Sequence, residues 1–271
     1  MRGEKAKNVS DDEKYKVGTT VSEIYALYTF DRRLRNIFLN YVLIFETSIK
    51  NTIAYYFSEA HPEENYLIYT NFNTQISNAT RKISELISSV QKQISDRNAD
   101  PCITHYLRKH GHLPLWVLNS ILTLGTVSKF YSVMKQPERQ KVALEYNVAE
   151  NELESALYYL SKIRNICAHG NRLYCFRTKA PIFDSVIHTR MNINRSADNE
   201  FIQGKRDLFA ALIIFSHLFP KKDMQSIVKR INHELYILQG KLTVLDENDI
   251  LNVMGFPTNW KNELLKAINE N

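Results

Sequence analysis

Glycine and proline are scarce in this chain of 271 residues, at eight and seven, and every glycine stands alone. A phosphate-binding loop of the nucleoside-triphosphate or dinucleotide type needs clustered glycines to bring backbone N–H groups onto the phosphates, so ATPase and dehydrogenase readings lose their main support. No serine sits in a Gly-x-Ser-x-Gly turn, which argues against a serine hydrolase. The three cysteines are too few for a paired disulfide framework, and a reducing compartment, the cytoplasm, is expected. Long apolar runs are missing too. The longest, Leu208 to Phe215, ends at Ser216 and His217, well short of the ~20 residues that span a bilayer. The charged opening residues and Ser10 to Lys14 lack the apolar stretch of a secretory signal. No membrane partner is expected.

What the chain does have is helical periodicity. Leu34, Phe38, Tyr41, Phe45, Ile49, Ile53 and Tyr56 recur at steps of three and four, and His61-Pro62 closes that helix. A second amphipathic helix is expected over Thr74 to Arg97. A junction at Asp100-Pro101, Gly111 and Pro114 separates it from the apolar segment Leu115 to Met134, and Gln136-Pro137 breaks that segment. Asn151 to about His169 reads as a helix on Leu153, Leu157, Leu160, Ile163 and Cys167, with Gly170 as its stop. Further helices are expected over about Glu200 to Leu218 and Lys222 to Leu238, and two short ones flank Gly255-Phe256-Pro257. No segment alternates in steps of two, so the fold class is all-α. The expected organisation is a mobile arm over 1–20, a helical domain over 21–245 and a helical extension over 246–271.

Two clusters invite chemistry. Cys102, His105, His110 and His112 carry zinc-type donors, but their spacing matches no standard structural zinc arrangement, so surface and packing histidines in a loop are the favoured reading and no metal is expected. From Ser161 to Arg195 stand Lys162, Arg164, Arg172, Arg177, Lys179, Arg190 and Arg195 against the single acid Asp184. That local surplus of six matches the whole-chain excess of 35 basic over 29 acidic residues. Tyr174, Phe176 and Phe183 interleave with these charges, a mixture able to hold phosphates and stack bases. A solvated basic loop is the plain alternative.

Within this region Asn165 and His169 are four apart and share a helix face, with Arg164 about 100° away. A guanidinium clamps phosphate, and an imidazole, ordinarily titrating near roughly 6.5, moves protons at neutral pH. Together they are what RNA cleavage without a metal requires: proton transfer at the ribose 2′-OH or leaving oxygen, and a cation for the charge developing on phosphorus. The alternative is that both only offset the negative end of a helix. Glu46 lies on a largely apolar face with Val42, Ile49 and Ile53, and it either pairs with Lys50 at i+4 or holds an arginine of the cleft.

Arg164-Asn165-Ile166-Cys167-Ala168-His169 resembles the motif of HEPN ribonucleases, in the form found in bacterial Abi (abortive infection, AbiD/AbiF-like) proteins. The likeness extends along the chain. Gly18-Thr19-Thr20 with Ile24 to Arg35 is similar to that family's Leu-Tyr-x-Phe-Asp-x-x-Leu-Arg segment. Leu113-Pro114-Leu115-Trp116 with Leu124-Gly125 resembles its Leu-Pro-x-Trp block, and Met254-Gly255-Phe256-Pro257 with Trp260 resembles its C-terminal ending. The resemblance implies an all-α HEPN fold and an endoribonuclease needing neither metal nor other cofactor. It implies a homodimer that joins two motifs in one cleft, and a toxin role in phage defence restrained by an RNA or protein antitoxin. By the same resemblance Arg164 and His169 are the catalytic pair, Asn165 helps orient them, and Arg172 contacts RNA. Lys162, Tyr174, Arg177 and Lys179 complete the expected RNA-binding set. The alternative function is a helical protein that binds or scaffolds RNA without cutting it.

Overall fold

The computed structural model describes residues 15–97 and 100–270. The arm expected over 1–20 therefore lies outside the described residues as far as position 14. Among the described residues the chain forms twelve α-helices and a short 3-10 turn, with no strand beyond two isolated bridges, Arg177 to Asp207 and Arg195 to Phe201. The all-α class is confirmed. No helix among them is long and apolar enough to cross a membrane.

Helix α1 (Val21–Ala60) is the spine, 40 residues and about 60 Å at 1.5 Å per residue. Thr20 starts it with a reciprocal cap: its hydroxyl accepts the Glu23 N–H at 3.3 Å, and the Glu23 carboxylate takes the Thr20 N–H at 3.0 Å. The expected stripe is buried from Leu34 through Ile53, but it continues at Phe57; Tyr56 is only half-buried and donates its hydroxyl to Glu145. α5 (Leu124–Val133) and α7 (Glu150–Ala168) pack against each other, α7 lies along α1, and α2 (Ala79–Asp96) covers α5. α9 (Phe209–Leu218) is the former apolar run. Its residues Phe209 to Phe215 are all buried, as a helix apolar on every side must be.

Several boundaries differ from the sequence expectation, each for a local reason. α2 begins at Ala79 rather than near Thr74 because Asn78 adopts a left-handed conformation, φ 57°. The supposed junction after Asp100 is a helix, α3 (Pro101–His110): the Asp100 side chain accepts the N–H groups of Cys102 and Ile103, Pro101 supplies the first turn, and left-handed Gly111 ends it. Cys102, His105 and His110 thus lie on a helix, not in a loop. The apolar segment 115–134 divides into α4 (Leu115–Leu118) and α5, and Pro137 opens α6 (Gln136–Leu144) instead of merely breaking a helix. The expected helix from Glu200 starts only at Phe209. The Asp207 carboxylate takes the N–H groups of Gly204 at 3.0 Å and Ala210 at 3.3 Å, holding 204–207 as a turn that caps α9. A five-residue helix, α8 (Val186–Arg190), occupies the Pro181 loop.

α10 (Lys221–Gln239) packs on α1 and α12 (Trp260–Asn269), and α11 (Glu247–Met254) precedes α12; Ile250, Phe256, Trp260 and Leu264 join the common core. Gly255, with φ +76°, ends α11, and a Cβ there would lie 2.3 Å from the Asp207 side chain. Gly255→Ala is expected to cost about 2–4 kcal/mol, from left-handed strain plus overpacking, read as a fall in the urea midpoint.

Glu23 also fixes the turn after α10. Its carboxylate takes the N–H groups of Thr243 at 2.6 Å and Val244 at 3.0 Å. These backbone bonds, that of Thr243 foremost, hold its pKa down to about 2. A carboxyl depressed in the folded state stabilises fully above its ordinary value near 4.5 and loses that effect as pH falls toward 2. Thermal melts should show Glu23→Gln less stable than the parent at pH 6, with the gap closing as pH drops from about 4.5 to 2. An unchanged gap at low pH would refute this origin.

Candidate active site

The sequence ends α7 at a chosen point. Gly170, φ +70°, follows the cap residue His169; Asn171 N–H reaches the Ile166 carbonyl at 3.1 Å and Gly170 N–H the Cys167 carbonyl at 3.4 Å. These two bonds are a Schellman ending, which satisfies the last carbonyls and turns the chain sharply. His169 is thereby left exposed at the helix tip.

The outer face of α7 is a polar stripe. Tyr158, Lys162, Asn165 and His169, at steps of four, three and four, are all exposed. The Lys162 ammonium lies 4.9 Å from the centre of the Tyr158 ring. Arg164 leaves this stripe on the side of α1, about 140° around the axis from His169 at 100° per residue. There its Nε stands 3.5 Å from Oε2 of Glu46, an ion pair without hydrogen-bond geometry. Glu46 is buried and its other oxygen meets Lys50 at 2.7 Å. Glu46 therefore meets both Lys50 and Arg164. The Arg164 side chain remains 30% exposed, and its terminal nitrogens make no hydrogen bond among the described residues, so its fork is free to meet an anion.

A pair the sequence reading assigned no role steadies the chain beyond Gly170. Asp31 of α1, buried, accepts the N–H groups of Leu173 at 2.8 Å and Tyr174 at 2.9 Å on one oxygen, and Arg35 on the other. Arg35 in turn donates to the Asn171 carbonyl at 3.2 Å. The signal was present: a charged i, i+4 pair beside Leu34 and Phe38, which are both fully buried, must have partners.

The remaining basic residues do not form one patch. Arg172 and Tyr174 line a cavity with Arg35 and Gly170, whereas Arg177 lines another with Glu200, Lys205 and Asp207. Lys179 is exposed. Arg190 donates to the Ala267 carbonyl at 3.0 Å, and Arg195 pairs with Asp184 at 3.0 Å while lying over Phe201. Phe176 is buried against Tyr159 and Phe183 packs on His217, so of the three aromatics only half-buried Tyr174 faces a cavity. Much of the linear surplus of charge is thus structural. Cys167 is buried, which pushes its thiol up to about 12 and keeps it protonated at neutral pH. His105, His110 and His112 stack edge to face with ring centres 6.1 and 6.4 Å apart, and no group of three donors among the described residues is placed to hold a metal ion.

None of Arg164, Asn165 and His169 lines either of these two cavities. What fold and site define is an all-helical protein with a polar, basic stripe running to the tip of α7 and, on the α1 side of the same helix, an arginine held by a buried glutamate. The chain belongs to the Abi-like protein family, whose model matches residues 4–175. The match runs from before α1 through the end of α7 to Cys175 and so includes Glu46, Arg164, Asn165 and His169, while Arg177 and Lys179 lie beyond it. No curated protein and no solved structure matches the chain.

Proposed function

We propose that this protein is a HEPN-type endoribonuclease, acting as the toxin of an abortive-infection phage-defence system and cutting RNA without a metal ion. The observation that carries the reading is the arrangement at the end of α7. Arg164 is fixed by buried Glu46 with its terminal nitrogens free, and exposed His169 stands five residues on, where the helix stops. In the reaction the ribose 2′-oxygen attacks the adjacent phosphorus and the 5′-oxygen leaves. The imidazole of one copy takes the 2′-OH proton as the new P–O bond forms, that of the second copy gives a proton to the departing 5′-oxygen, and the products are a 2′,3′-cyclic phosphate and a 5′-hydroxyl; Arg164 balances the charge on the non-bridging oxygens, and Asn165 on the same stripe as His169 orients the ring.

In one protomer Arg164 and His169 stand about 140° apart around α7, the first turned toward α1 and the second exposed, and they share no cleft. A second copy, bringing its own α7 tip, would supply the opposite wall, and the exposed apolar residues Leu43 and Ile44 of α1 and Tyr158 of α7 suit such a contact. The proposed partners are thus RNA, a second copy of the chain, and an RNA or protein antitoxin.

The test is a labelled RNA pool incubated with chelator and either wild type or His169→Ala, with light scattering on the same samples. Cutting by the wild type alone, from a dimer, is the expected result. Equal RNA binding without cutting by either protein would point to the RNA-binding, non-catalytic alternative, and an active monomer would overturn the composite cleft.

A further inference from the structure

Immediately beyond His169 the chain forms one wall of a cavity of about 520 Å³ between α1 and the turn after α10. Gly170, Arg172 and Tyr174 line this side; Leu27, Leu242 and Leu245 are among the apolar residues of the other walls. Its two carboxylates are spoken for. Glu23 accepts from Thr20, Thr243 and Val244, and Asp31 from Leu173, Tyr174 and Arg35, so neither is available to a cationic ligand. The cations differ. Arg35 is 8% exposed, and all its hydrogen bonds come from Nη1; Nε and Nη2 make none among the described residues. Arg172 is exposed at the rim and makes no ion pair among the described residues.

A buried guanidinium with one edge unused, inside apolar walls with a tyrosine beside it and a cation at the mouth, suits a flat ring that carries two adjacent acceptors and is joined to a phosphate. We propose that this cavity receives an unpaired guanine of the RNA next to the cut bond. The Nε and Nη2 edge of Arg35 meets its O6 and N7, Tyr174 lies against its ring, and Arg172 holds its phosphate. Adenine offers a donor where guanine offers O6, so it is rejected. The inference rests on the ribonuclease reading, which places the cut bond of an RNA at the tip of α7.

The experiment has two arms. Wild-type cut sites are mapped on a single-stranded RNA of random sequence. Separately, His169→Ala is titrated by fluorescence anisotropy with a hexanucleotide containing one guanine and with its adenine counterpart. Expected are a guanine enrichment of roughly 10-fold at a fixed offset from the cut, and tighter binding of the guanine oligonucleotide by a similar factor. Leu242→Trp, which fills the cavity from the turn, and Arg35→Lys, which keeps the charge but loses the fork, should each erase both preferences; the first covers the case in which the second misfolds. Cutting without guanine preference, or a preference indifferent to Leu242→Trp, overturns the cavity assignment while the ribonuclease reading stands. Guanine-selective binding lost in Leu242→Trp, with no cutting by wild type, upholds the cavity and removes the nuclease. Absence of both effects removes both.

Discussion

Replacing His169 by alanine is expected to reduce RNA cleavage by about 10²- to 10⁴-fold, the usual contribution of a positioned acid-base group. The fold should be untouched, because the ring is exposed and the helix ending depends on Gly170 and Asn171 rather than on the imidazole. Arg164→Ala should cost a comparable factor by leaving the phosphate charge unbalanced, and the double variant should be little worse than either single one, since groups acting in one step are not additive. Glu46→Gln probes the support beneath. It leaves Arg164 and Lys50 without their shared anion, so cleavage should fall while affinity for RNA, which depends on the retained cations, changes less. The measurement is single-turnover cleavage of an end-labelled RNA with melting temperatures alongside. A His169→Ala protein that cuts at the parent rate would end the assignment of this residue.

Asp31→Ala is expected to be the most destabilising single change, at about 3–5 kcal/mol, because it strands a buried guanidinium and two main-chain donors together. Asp31 and Arg35 are 2% and 8% exposed, so water entering from the cavity beside them replaces the lost partner only in part. The urea midpoint should fall accordingly. Removing the stranded charge as well, in Asp31→Ala with Arg35→Leu, should restore part of the loss, as expected when the penalty is an unpaired ion rather than a cavity. Cleavage should drop in the single variant even where it remains folded, since Asp31 holds the chain at 173–174, a few residues beyond His169. A cost below about 1 kcal/mol would show that the pair is not the anchor that its geometry indicates.

The legible parts of this protein were those governed by neighbours in sequence. The stripe from Leu34 to Ile53, the stop at Gly170 and the short helices around Gly255-Phe256-Pro257 follow from residue spacing and from the left-handed preference of glycine, and the structure has them. The misplaced boundaries come from local bonds that compete with periodicity. Asp100 caps a helix where Pro101 and Gly111 suggested an interruption, and the Asp207 carboxylate folds 204–207 into a turn where a helix was expected.

Sequence alone settled that the chain is helical, and it singled out Arg164, Asn165 and His169, because helical spacing and side-chain chemistry are properties of short segments. It could not say which charges were free. Seven basic residues in one stretch read as a single patch, yet Arg195 is held by Asp184, Arg190 by a carbonyl of α12 and Arg164 by a glutamate more than a hundred positions earlier. Only the packing of α1 against α7 decided that Glu46 would brace the arginine and that Asp31 and Arg35 would hold the turn beyond the histidine. Electrostatic partners are chosen by distance in space, and a long spine helix brings together residues that the linear chain keeps far apart.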